Sequence, residues 1–197
     1  MADLTLKEFE ARVAALGAGG LIKALAKGGK IVSERAGNES KILATTRLRV
    51  RSGLLRGSIA GLLEVKAPQL LIGVQAGGTR GPGGEVVKYA RIQERGGTVR
   101  PKRSKYLAIP VGPARTGAGV SKNLSPRDVP GLAFAQSRKG QPLLLNSLTG
   151  QVWFVLRRQV KIKPKWYLRD GLKKAARSMP PLMTGIVTRE VVDGPRG

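Results

Sequence analysis

Leu6, Phe9, Val13 and Leu16 recur every three to four residues and share one face of a helix. The segment opens on Thr5-Leu6-Lys7-Glu8, a capping box in which the Thr5 hydroxyl accepts from the Glu8 amide and Glu8 reaches back. Leu4 and Phe9 are spaced as a hydrophobic staple. Gly17-Ala18-Gly19-Gly20 then breaks the pattern. A second helix is predicted from about Leu21, with Leu21, Leu25 and Val32 on one side and Lys23, Lys27 and Lys30 on the other. Gly28-Gly29 weakens its middle and predicts a kink there.

Past Ser40 the pattern shifts toward strand. Arg47-Leu48-Arg49-Val50-Arg51 alternates with period two, which places its three arginines on one face. Ser58 to Val65 and Gln69 to Gln75 read as two strands joined near Ala67-Pro68. Gly77 to Gly84 is a glycine-rich loop, and Val86 to Glu94 suits either a strand or a short helix. Tyr106 to Val111 reads as a buried strand. Gly112 to Gln141 is polar and rich in Gly, Pro and Ser, an excursion from the fold of a length that is functional or disordered. Leu143-Leu144-Leu145 and Val152 to Leu156 flank Ser147-Leu148-Thr149-Gly150 as a hairpin. Val160 and Ile162 continue a strand up to Pro164. The last helix is expected from about Trp166 to Ser178, stopped by Pro180-Pro181. Leu168, Leu172, Ala175 and Met179 form its apolar face.

The order of helices, strands and helix predicts an α+β fold. An antiparallel sheet is packed by N-terminal helices within 1–39 and by one C-terminal helix, with a loop insertion at 112–141 and a tail at 180–197. A chain of 197 residues suggests one domain over 1–197. No run approaches the roughly 18 apolar residues of a membrane span. The start of the sequence lacks the basic and apolar regions of a signal peptide, so a cytoplasmic site of synthesis is expected.

Charge changes the picture more than any motif. The chain has 36 Lys and Arg against 12 Asp and Glu, a formal net charge of +24, and neither His nor Cys. Such an excess repels itself in the compact state and predicts a polyanionic partner. Lack of Cys removes a thiol nucleophile and thiolate metal sites, and lack of His removes the usual general base. Aromatic residues are 4% of the chain, so phosphate or duplex contact is favoured over base stacking.

Other chemistry fails on spacing. Gly29-Lys30 is followed by Ile31 and position 24 is Ala, so there is no P-loop. Glu64-Val65-Lys66 matches one end of a metal-dependent nuclease pattern, but the nearest acid before it is Glu39; a charged strand end is the simpler reading. Asp170 beside Arg169 reads as a solvated ion pair. Glu94, an acid in a basic neighbourhood, is expected to have a structural partner. No metal, cofactor or catalytic residue is expected.

The basic residues are harder to dismiss. From Arg95 to Lys174 there are eighteen Lys or Arg, with only Asp128 and Asp170 as acids. The candidate polyanion-binding residues are Arg47, Arg49 and Arg51; Arg100, Lys102, Arg103 and Lys105; Arg157 and Arg158; and Lys161, Lys163 and Lys165. A solvated surface explains one such cluster. Several, with so few acids, favour a surface facing a polyanion. If the strands at Tyr106 and before Pro164 are neighbours, Arg100 to Lys105 and Arg157 to Lys163 share one rim. No helix-turn-helix or zinc finger is present, so reading of base sequence is not expected.

Three segments carry a family resemblance. Arg51-Ser52-Gly53-Leu54-Leu55-Arg56-Gly57-Ser58-Ile59 is similar to the S/T-G-x-L-R-x-S-I step of small neck and tail-completion proteins of long-tailed phages. Tyr89-Ala90-Arg91-Ile92-Gln93-Glu94-Arg95-Gly96-Gly97-Thr98 resembles their Y-A-x-x-x-E-x-G-G/T segment, and Val160 to Leu168 their I-P-x-R-x-F-L approach to the final helix. The resemblance spans roughly Ser40 to Ser178, in the family's order. The family includes head–tail joining, virion morphogenesis and Z-type minor tail proteins. The long insertion and Lys165-Trp166-Tyr167 depart from its pattern.

The resemblance implies a non-enzymatic virion protein in the neck or at the head-proximal end of the tail. It implies a homo-oligomeric ring, typically of six copies, through which genomic double-stranded DNA passes. Expected neighbours are a tail terminator, connector, tube or tape-measure protein, and no membrane. The alternative is a non-specific nucleic-acid-binding accessory protein, such as a ribosome-associated factor. The N-terminal helices and the insertion are expected to contact neighbouring subunits, and the insertion to be mobile in the free protein.

Overall fold

The computed structural model describes residues 5–48, 53–66, 69–78, 87–117, 119, 121–122 and 124–193. The chain is α+β with antiparallel sheets. Where one domain was expected, its contacts group into two compact units: Met1–Glu94 with Lys165–Gly197, and Arg95–Pro164.

The first unit is built on α1 (Leu6–Arg47). The Thr5–Glu8 capping box forms as expected, with Thr5 N donating to Glu8 Oε2 at 2.9 Å; Leu4 of the expected staple lies outside the described residues. Gly17, at φ 58 and ψ 176, is the non-helical link between two helical pieces, a geometry that favours glycine. The expected kink at Gly28-Gly29 is absent, because these glycines serve packing instead. Buried Ala24, Gly28, Val32, Ala36, Ser40 and Ala44 form one row at spacing four, and Gly29, Ser33 and Gly37 a second beside it. A Cβ on Gly28 would lie 3.1 Å from Ile186 Cδ1, and one on Gly29 would lie 2.9 Å from Leu63 Cδ1. Small side chains thus let three elements approach one helix closely.

Those elements are a hairpin and two helices. β1 (Ala60–Lys66) pairs antiparallel with β2 (Gln69–Gln75), from Ala60↔Gln75 to Lys66↔Gln69. Gly61 of β1 abuts the Ser33 carbonyl, and a Cβ on Gly37 would meet Gly61 N at 2.9 Å. α4 (Tyr167–Ala176) crosses at Gly171 over Ser40, and α5 (Met179–Asp193) brings Met183 and Ile186 to Gly28. The expected tail at 180–197 is therefore helical to Asp193. Pro180 and Pro181 sit in its first turn, where a missing N–H costs nothing.

Leu55, Ile59, Val87, Ala90 and Tyr167 fill the core where α2 (Leu54–Gly57) and α3 (Ala90–Arg95) meet α4. Tyr167 is fully buried and its hydroxyl donates to Ala90 O at 3.2 Å; burial, with the Glu94 charge, raises its pKa. Of Val86 to Glu94, read as strand or short helix, residues 90–94 are helical in α3, Lys88 and Tyr89 form a turn, and Val86 lies outside the described residues. The strand expected at Arg47–Arg51 is overturned at its start: Arg47 ends α1, with Leu48 as the extended cap. Arg49 and Arg51 lie outside the described residues.

Ser40 is buried, and its hydroxyl has no hydrogen-bond partner. Ser40→Ala is expected to stabilise the protein by about 1 kcal/mol, by removing an unsatisfied buried group. A higher urea midpoint at unchanged slope would show it; a lower midpoint would contradict it.

The second unit is all strand and turn. β3 (Gly97–Val99) pairs with β8 (Val160–Ile162), and β4 (Leu107–Pro110), β7 (Val152–Arg157), β6 (Pro142–Asn146) and β5 (Leu132–Gln136) form a sheet in that order. Phe154 and Leu156 of β7 are its buried centre. A bulge at Leu144/Leu145 in the β6–β7 pairing shifts the register. The segment Gly112 to Gln141, expected as a loop, contains two short 3-10 turns and supplies β5, paired to β6 from Leu132↔Asn146 to Gln136↔Pro142. Its Leu132-Ala133-Phe134-Ala135-Gln136 is only five residues long, and the Pro130-Gly131 turn that opens it falls within the stretch read as a Gly-, Pro- and Ser-rich loop. The strand expected over Tyr106 to Val111 forms as β4 over Leu107–Pro110, but half-buried instead of buried.

Candidate nucleic-acid interface

The second unit carries fourteen Lys or Arg against Asp128 alone, so thirteen of the chain's net positive charges sit in about a third of its length. Strand pairing gathers many of them. Val99 is opposite Val160, so Arg100 leaves β3 where β8 begins. Leu107 is opposite Arg157, so Lys105 approaches β4 where β7 ends. The connections Arg100–Tyr106 and Arg158–Gln159 therefore run from the same ends of paired strands. Arg100 Nε donates to Gln159 Oε1 at 3.3 Å and ties them together. Gln159, which no charge pattern singled out, is the residue that reading of the sequence missed.

This rim holds Arg100, Lys102, Arg103, Lys105, Arg157 and Arg158, all exposed. The Lys105 ammonium lies 5.8 Å from the Tyr106 ring centroid, a weak cation–π contact that keeps the chain of Lys105 near the sheet. Lys161 pairs across to Thr98 on the exposed face of the small sheet, one residue from the rim. Lys163 follows β8 at its other end, so it extends the basic face and does not join the rim.

Local electrostatics separate this unit from the first. Every ion pair among the described residues lies in the first unit: Lys27–Glu190, Arg47–Asp170, Lys66–Glu64, Arg169–Asp170 and Lys174–Glu39. The lone acid of the second unit, Asp128, accepts from the Ser125 amide at 2.9 Å and caps its own turn. No acid among the described residues forms an ion pair with the cations of the rim.

Two sequence candidates are differently employed. Arg47 Nη1 pairs with Asp170 Oδ2 at 2.6 Å and donates to Lys165 O at 2.8 Å, which fastens the end of α1 to α4. Arg47 and Arg169 together hold the Asp170 carboxyl below its usual pKa. Lys165 is half-buried, and its amide donates to Gln93 O at 3.0 Å. Both belong to the first unit and serve its architecture. Glu64 pairs with Lys66 at 2.6 Å, the charged strand end that the simpler reading expected. Glu94 has its structural partner: its carboxylate accepts from Leu168 N at 2.9 Å and Arg169 N at 3.0 Å.

Among the described residues no helix is long and apolar enough to cross a membrane. No protein-family model, curated protein or solved structure matches this chain.

Proposed function

We propose that this chain is a non-enzymatic structural protein of the phage neck or tail-completion type, assembled as a ring around genomic double-stranded DNA. The observation that carries the reading is the rim at Arg100–Lys105 and Arg157–Arg158. Two basic connections are tied side by side, and no acid among the described residues pairs with them. Exposed cations on strand ends suit phosphates, and nothing in the rim projects as a reading helix into a groove. A passage for DNA needs that combination, because any sequence must pass. The three resembling segments supply the class of particle: two of them meet where the Glu94 carboxylate accepts from the start of α4.

Imaging of the particle that incorporates this chain is expected to show a closed ring, six copies being the expected number. Single copies scattered over the particle surface would overturn the ring. Duplexes of unrelated sequence are expected to bind the purified chain with equal affinity at each salt concentration, and affinity should fall steeply as salt rises. A strong preference for one sequence would count against contact through phosphates.

A further inference from the structure

We infer that the three-turn helix Leu6–Leu16 docks against a second copy of this chain through Leu6, Phe9 and Val13. The inference rests on reading the chain as an assembly protein, and it names the surface through which copies meet. Leu6 is 74% exposed, Phe9 41% and Val13 39%, and their spacing puts them on one face. The helix is specified at both ends: the Thr5–Glu8 capping box starts it, and the non-helical Gly17 separates it from the rest of α1. A helix this short is marginal in water without tertiary packing of its apolar face. Arg12 donates to the Val191 and Val192 carbonyls and anchors another face to the end of α5, which leaves the apolar stripe outward.

Charge selects the occupant. Within Leu6–Leu16, Glu8 and Glu10 balance Lys7 and Arg12, in a chain with a net charge of +24. Two such chains repel almost everywhere. A contact between copies is least opposed at a helix whose own charges balance, because the excess of positive charge lies on the rest of the chain. The same acids disfavour an anionic lipid surface, which an interfacial helix meets with Lys and Arg on its polar face.

The test is the solution mass of the full chain, by light scattering over a range of concentrations at low and high salt, without nucleic acid. The wild type is expected to exceed one copy, more so at high salt, where repulsion is screened. Phe9→Glu with Val13→Glu is expected to reduce the mass to a single chain at an unchanged thermal melt. Leu6→Gln, a milder change at the most exposed position, is expected to weaken association. Leu148→Glu, at a 92% exposed apolar residue of the other unit, should leave the mass as in the wild type. A wild type that is a single chain under every condition overturns the inference, as does a double variant that keeps the wild-type mass. Because no DNA is present, failure here is distinguishable from failure of the duplex titration, which leaves this surface untouched.

Discussion

Replacing Lys102, Arg103, Arg157 and Arg158 together by alanine is expected to lower the slope of log affinity against log salt by about 3 to 4, on duplex DNA. Each phosphate contact releases condensed counterions and contributes about 0.9 to that slope. All four side chains are exposed, and none is in an ion pair among the described residues, so their loss leaves the fold without an unpaired buried group. Between 50 and 200 mM salt the variant should therefore lose roughly a hundredfold less affinity than the wild type. Titration of both proteins at several salt concentrations reads the difference directly. Identical slopes would show that these cations do not touch DNA and would direct the rim toward an acidic protein neighbour, such as a tube or tape-measure protein. The structural role would survive that outcome, and the DNA contact would not.

Glu94→Ala is expected to destabilise the first unit by about 3 kcal/mol, because it strips a charged acceptor from two backbone donors. α4 begins at Trp166, which sits at φ 49 and has no side-chain oxygen to cap the helix. Glu94, 7% exposed, supplies the missing cap from α3 and bonds the second and third amides of α4, the pair that an N-cap oxygen normally serves. Its charge also favours the positive end of the helix. The left-handed Trp166 is held in place by its amide donating to Glu94 O at 3.1 Å and by Arg169 stacked 4.2 Å from its ring centroid. Glu94→Gln keeps an acceptor but loses the charge, so a smaller loss is expected. Urea unfolding of the three proteins orders them; an alanine variant as stable as the wild type would show that the cap is dispensable.

Local signals in the chain were sound wherever one element could be judged on its own residues. The Thr5–Glu8 box, the strand Gln69–Gln75 and the β6–β7 hairpin stand where patterning placed them, while the break expected over residues 17–20 narrows to Gly17 and the strand expected from Ser58 begins at Ala60. These features depend on caps, turns and alternation within a few residues. Arg47 misled because alternation over five residues also fits the last turn of a helix, and Ala44 and Leu48 pack inward from there. Gly28-Gly29 misled for another reason. Low helix propensity is a local cost, and close packing against Met183, Ile186, Leu63 and Leu70 offsets it.

The basic surface divides the same way. Net charge, the scarcity of acids between Arg95 and Lys174, and the lack of thiol or imidazole chemistry are properties of composition, and the sequence by itself determined them. So too were the need for a structural partner at Glu94 and the α+β class. Which cations share a rim was decided only by tertiary structure. Long-range antiparallel pairing, Val99 with Val160 and Leu107 with Arg157, brings together segments fifty or more residues apart and leaves Arg47 and Lys165 as fasteners of another unit. No local pattern encodes such a pairing, because register is set by which faces bury their side chains once the whole sheet has formed.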